Sequence, residues 1–134
     1  MAQEIVVKEF LTERMIEAGE ELIYRLAKTD LKLVAAFWAW HIESNEWRLT
    51  LSSPWINKHG PQKAYRKIDE ALATPVPISG LKPLDMSARE TSDPLIKALR
   101  AHARERHTNL AHTRLKDHWF GDESVNDFYI YFIK

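Results

Sequence analysis

Between residues 33 and 54 the chain reads LVAAFWAWHIESNEWRLTLSSP, and this stretch restricts the fold more than any other. Large apolar side chains recur at every second position on both sides of Ser44 and Asn45, the period that puts them on one face of a β-strand. Leu33 to Glu43 and Glu46 to Pro54 therefore read as two strands joined by a two-residue polar turn. With that turn Ile42 faces Trp47, Trp40 faces Leu49 and Trp38 faces Leu51, so one side of the hairpin is almost wholly apolar. An indole buries about 150 to 250 Å², so three on one face need a roof. The other side carries Phe37, Ala39 and His41 beside Arg48, Thr50 and Ser52, a mixture suited to water or to a partner.

Amphipathic helices supply the roof. From Glu9 to Lys28, Leu11, Met15, Ala18, Leu22 and Leu26 share one side of a helix, with Glu9, Glu13, Glu17 and Glu20 opposite; Gly19 is a weak point in it. Pro61 opens a second helix to Ala73, with Ala64, Tyr65, Ile68 and Leu72 inward. The segment TPVPISGLKP is a connector that leads into an edge strand at Ile78 to Met86. Ser92, Asp93 and Pro94 start a third helix, ending near His107, whose buried stripe is Leu95, Leu99 and Ala103. Thr113 to Phe120 and Phe128 to Ile133 read as a terminal hairpin around GDESVN, with Phe128, Ile130 and Phe132 on one face and Tyr129, Tyr131 and Ile133 on the other. The order αββαβαββ predicts one α+β domain over residues 1–134, a two-layer arrangement with a mostly antiparallel sheet of five strands and three helices on one face.

Several functional classes are disfavoured by composition. No cysteine is present, which removes thiolate chemistry and disulfides and fits a reducing, cytoplasmic setting. The apolar, uncharged stretch Leu33 to Ile42 is far short of the ~20 residues of a membrane-spanning helix, so no membrane partner is expected. Nineteen basic and nineteen acidic residues cancel, yet residues 1–54 carry six positive against nine negative and residues 55–118 twelve against seven. That segregation suits oriented association with another protein or a second copy; it is not the strongly basic balance of a dedicated nucleic-acid binder.

The segment 97–118 holds four of six histidines and six of the nineteen Lys and Arg residues. Five residues on a helix turn it about 140°, so His102 and His107 point apart, and His112 and His118 on a strand would stand roughly 20 Å apart. With no cysteine and no spaced carboxylates, no metal ligand set is expected. A solvated basic face, with cations favoured near the C-terminus of the helix, accounts for Lys97, Arg100 and Arg104. Phosphate contact through Lys97, Arg100, Arg104, Arg106, Arg114 and Lys116 is the functional counterpart, although no helix-turn-helix or zinc-finger pattern surrounds them.

Catalytic patterns are weak. Glu46-Trp47-Arg48 has only half of a Glu-x-Lys nuclease motif, with Arg for Lys and no preceding Asp on a neighbouring strand. Ser52 and Ser53 lack a Gly-x-Ser-x-Gly turn. Lys58, His59 and the helix start at Pro61 are better read as a loop and cap than as an anion site. The expectation is a non-enzymatic accessory or interaction module, without cofactor or catalytic residues. It would dock through the uncovered sheet face at Phe37, His41, Arg48, Tyr129 and Tyr131, on another protein or on itself. Nucleic-acid binding through the basic 97–116 segment is the alternative, and a metal-dependent hydrolase a third reading.

Overall fold

The computed structural model describes residues 10–120 and 125–134. In chain order the elements are α1 (Glu13–Leu26), β1 (Ala35–His41), β2 (Glu46–Ser52), α2 (Pro54–His59), α3 (Pro61–Ala73), a 3₁₀ turn (Pro83–Asp85), β3 (Met86–Arg89), α4 (Pro94–Glu105), β4 (Thr113–Leu115) and β5 (Val125–Ile133). The strands form one mixed sheet in the order β3-β2-β1-β5-β4, antiparallel except where β3 runs parallel to β2. The α+β class and the five-stranded, mostly antiparallel sheet are those the sequence predicts.

Local chemistry explains the boundaries. The Thr12 hydroxyl accepts from Met15 N (3.1 Å) to cap α1, and the Asp93 carboxylate accepts from Leu95 N (2.9 Å) to cap α4 ahead of Pro94. α3 spans the predicted Pro61 to Ala73. The short α2 falls in a stretch read as loop; Ser53 caps it by accepting from Ile56 N (3.3 Å). Residues 79–85 turn before the edge strand, which begins only at Met86. The Arg25 guanidinium donates to the carbonyls of Ala71 (2.8 Å), Thr74 (3.0 Å) and Val76 (2.7 Å), fastening α1 to the end of α3.

The central hairpin differs in register but not in facing. Trp40 pairs with Trp47 and Trp38 with Leu49, and the turn takes Ile42 to Asn45, with Asn45 at φ 51°. Lengthening the loop by two residues shifts every partner by two and leaves each side chain on its predicted face. Trp38, Trp40 and Trp47 are buried with Leu49, Leu51 and Tyr131 against Leu22, Leu26, Ile68 and Leu72 of α1 and α3. Complete burial of Trp38 alone corresponds to about 5 kcal/mol of transfer free energy.

The placement of the third predicted helix is corrected by the structure. Leu95, Ile96, Leu99 and Ala103 of α4 pack on Ala35, Phe37, Ala39, Phe128 and Ile130, residues that alternate along the strands with those under α1 and α3. Both sheet faces are apolar at their centre, so both are covered, and the helices are divided between them.

A second departure lies in β5. Phe37 pairs with Ile130 and Ala36 with Phe132, so Tyr131 is an extra residue, a bulge. Beyond it the alternation reverses: Phe132 joins Tyr129 and Tyr131 on the tryptophan side, and Ile133 joins Phe128 and Ile130. β4 is shorter than predicted, and residues 121–124 of the GDESVN turn lie outside the described residues, as does Glu9.

Candidate functional site

The five residues expected to form one docking patch are distributed over both sheet faces, and two are inaccessible. Phe37 is 0% exposed beneath α4, its ring 6.0 Å from that of Phe128. Tyr131 is 5% exposed on the tryptophan side; its Oη accepts from Trp38 Nε1 (2.9 Å) and donates to Ile16 O (2.6 Å). Burial holds its hydroxyl protonated well above the usual tyrosine range. Tyr129 is half-buried on the same side, sharing a hydrogen bond with His112 Nδ1 (3.2 Å), and burial followed by the Glu20 charge raises its pKa. The expected patch is therefore not a surface of this fold.

His41 and Arg48 share the other face, beside α4. Arg48 Nε donates to Glu46 Oε1 (2.8 Å), so Glu46-x-Arg48 is a same-face ion pair, not half of a metal site. Burial, then the Arg89 and Arg48 guanidiniums, lower the His41 pKa to about 4, with Glu46 opposing, so the ring is neutral at pH 7. Its Nε2 is buried and unpartnered among the described residues, as are the hydroxyls of Thr50 and Ser52 on that face. Lys58 and His59 lie at the end of α2, where the His59 ring stacks on Trp55 (4.1 Å) and Nδ1 donates to Trp55 O (3.0 Å). Lys67 Nζ lies 4.9 Å from the Trp55 ring centre and bonds Asp30 (2.7 Å).

Tertiary folding brings two of the four clustered histidines together. The His102 and His118 rings lie 5.1 Å apart, His118 stacks on Phe120 (4.6 Å), and Arg106 Nε donates to His102 Nε2 (3.1 Å). That bond needs an unprotonated Nε2, in keeping with a His102 pKa lowered by burial, then by Arg106 and His118. Among the described residues no three His, Cys, Asp or Glu side chains are placed to hold a metal ion.

The six candidate phosphate-binding cations divide as well. Lys97, Arg100 and Arg104 occupy about 60° of the outer arc of α4, and Arg106 sits at its C-terminus. Arg114 belongs to the tryptophan side: its Nε and Nη2 donate to Asp127 (2.8 and 2.9 Å), a carboxylate only 3% exposed, and its guanidinium lies 5.2 Å from the Trp47 ring centre. Lys116 lines a hollow on that side with Phe10, Leu11 and Trp47.

What the division of the helices does create is an electrostatic contrast. Outside α1, Glu13, Glu17 and Glu20 occupy about 60° of arc and are exposed; outside α4, across the sheet, stand Lys97, Arg100 and Arg104. None of these six forms an ion pair within the described residues, although Arg100 is half-buried and donates from Nε to Lys134 O (2.9 Å). Like charges three and four residues apart on a helix repel by about 0.2–0.5 kcal/mol per pair, so both rows are mildly unfavourable in the isolated chain. Both rows are visible in the sequence; their opposition is not, because it depends on which face α4 covers.

Among the described residues no helix is long and apolar enough to cross a membrane. A scan against protein-family models finds none that matches the chain, and searches of curated proteins and of solved structures return no significant match.

Proposed function

We propose that the protein is a non-enzymatic interaction module of the cytoplasm that docks through the charged exteriors of its helices. The observation that carries this reading is the pair of unneutralised rows on α1 and α4. A row of like charges without ion-pair partners among the described residues is best satisfied by a partner of opposite sign. Exposed pairs of this kind contribute about 0.2–1 kcal/mol each, so the association is weak to moderate and sensitive to salt.

Coupling carboxylates directly to amines in an extract of the source cells tests the reading. Lys97, or Glu17 and Glu20, should become joined to a second polypeptide, and R100E/R104E should abolish the joining at Lys97. Recovery of the chain joined to nothing at these positions would overturn the proposal.

A second reading, contact with nucleic-acid phosphates, is favoured by one arrangement: Trp119, 55% exposed, follows His118, whose ring meets His102 on α4 beside Arg106. A ring available for stacking next to cations suits single strands. It predicts oligonucleotide binding that falls steeply with salt and with R100E/R104E, while Arg114→Ala has little effect because Arg114 is engaged by Asp127.

A further inference from the structure

We propose that the partner is a second copy of this chain, with α1 of one copy lying antiparallel on α4 of the next. This deepens the interaction-module reading and rests on it.

The spacing of the charges carries the argument. On α1 the acidic row advances by four and then three residues, Glu13, Glu17, Glu20; on α4 the basic row advances by three and then four, Lys97, Arg100, Arg104. Each spans seven residue steps, about 10.5 Å of rise. Laid antiparallel, the two series coincide: Glu20 meets Lys97, Glu17 meets Arg100 and Glu13 meets Arg104. Tyr24, 59% exposed one turn beyond Glu20, then falls against the exposed Pro94 at the start of α4. A parallel arrangement separates the middle pair by one residue's rise, about 1.5 Å.

Geometry forbids the match within one chain, because α1 and α4 cover opposite faces of the sheet. Between chains it leaves one acidic and one basic row free at the ends, a heterologous contact that propagates head to tail unless it closes into a ring. Glu17, Glu20, Glu21 and Tyr24 also line a shallow open hollow on α1, concave toward an incoming basic side chain. A nucleic acid would satisfy α4 alone and leave the acidic row unmatched.

Sedimentation velocity of the purified full chain is the test. Average mass should rise with concentration at about 0.01 M salt, where charges act over about 30 Å, and return to monomer near 1 M, where they act over about 3 Å. E17K/E20K and K97E/R100E should each weaken self-association by roughly tenfold or more. Their fourfold combination, which exchanges the signs across the contact, should restore it. Far-ultraviolet circular dichroism confirms that each variant is folded. A wild-type chain monomeric at every salt and concentration, a loss confined to the α4 variant, or no recovery in the combination would each overturn self-pairing. If coupling in extracts then joins Lys97 to a different polypeptide, the interaction-module reading stands and only the second copy is excluded.

Discussion

Gly19 sits in the middle of α1, where alanine would ordinarily stabilise the helix by about 1 kcal/mol. The structure predicts the opposite for Gly19→Ala. A Cβ built on Gly19 would lie 2.3 Å from Tyr131 Oη, 3.1 Å from its Cζ and 3.2 Å from Trp38 Nε1. The Tyr131 hydroxyl is held on two sides, accepting from Trp38 Nε1 (2.9 Å) and donating to Ile16 O (2.6 Å). To admit the methyl group either the ring retreats along a buried strand or α1 lifts from the sheet. Overpacking costs about 1–3 kcal/mol, and each lost hydrogen bond about another 1 kcal/mol. Set against the gain in helix propensity, the net loss is about 1–4 kcal/mol.

Tyr131→Phe provides the control. It removes the atom at 2.3 Å and leaves only the tighter edge of ordinary contacts. By itself it is destabilising, because Trp38 Nε1 and Ile16 O lose their partner, by about 1–3 kcal/mol. Adding Gly19→Ala in that background should then change stability by less than about 1 kcal/mol, so the two sites are strongly coupled. Urea unfolding followed by tryptophan fluorescence, with all four proteins compared at constant m-value, reads out the coupling. Gly19→Ala that is neutral or stabilising in the wild-type background, or equally costly in both, would show that α1 does not bear on Tyr131 as described.

Two other perturbations probe buried charge. The folded pKa of His41, about 4, lies below its unfolded value, so as pH falls under about 6.5 the unfolded chain takes a proton that the folded chain refuses. Stability contributed by the neutral ring is thus complete above about pH 6.5 and lost progressively toward pH 4, by at most about 3 kcal/mol. His41→Gln should flatten that part of the stability profile, and identical pH dependence in both proteins would refute the assignment. Arg114→Met strips a bidentate cation from the buried Asp127 and should cost about 2–4 kcal/mol. Adding Asp127→Asn should recover at least half of the loss in urea unfolding; no recovery would mean that the cost of Arg114→Met is not that of an unpaired buried carboxylate.

The elements legible in the sequence are those whose signals are local. The alternation around Trp38, Trp40 and Trp47 specifies two strands and their inward face, and Pro61 and Asp93-Pro94 mark helix starts to the residue. The bulge at Tyr131 has no such signal: FYIYFI alternates without a break, and the extra residue appears only when β1 is laid beside it. The covered second face was hidden for a different reason. Phe37, Phe128 and Ile130 look alike whether they await a partner protein or a helix of the same chain, and the hydrophobic effect carries no label for which. The stripe Leu95, Leu99, Ala103 was in plain view, but its amphipathicity says only that α4 covers something.

The side that α4 takes is what makes the charge pattern consequential. Were α1 and α4 neighbours over one face, about 10 Å apart as packed helices are, Glu17 and Arg100 could neutralise each other within the chain and neither row would face outward unmatched. With the sheet between them, two layer spacings of about 10 Å each separate the rows, and at physiological salt a charge is screened beyond about 8 Å. Each row is then electrostatically unaware of the other in its own molecule, which is the condition that the proposed pairing with a second copy requires. The apolar stripe of α4, by packing on Phe37 and Phe128, thereby keeps the basic row away from the acidic one, and the proposed pairing with a second copy rests on that separation.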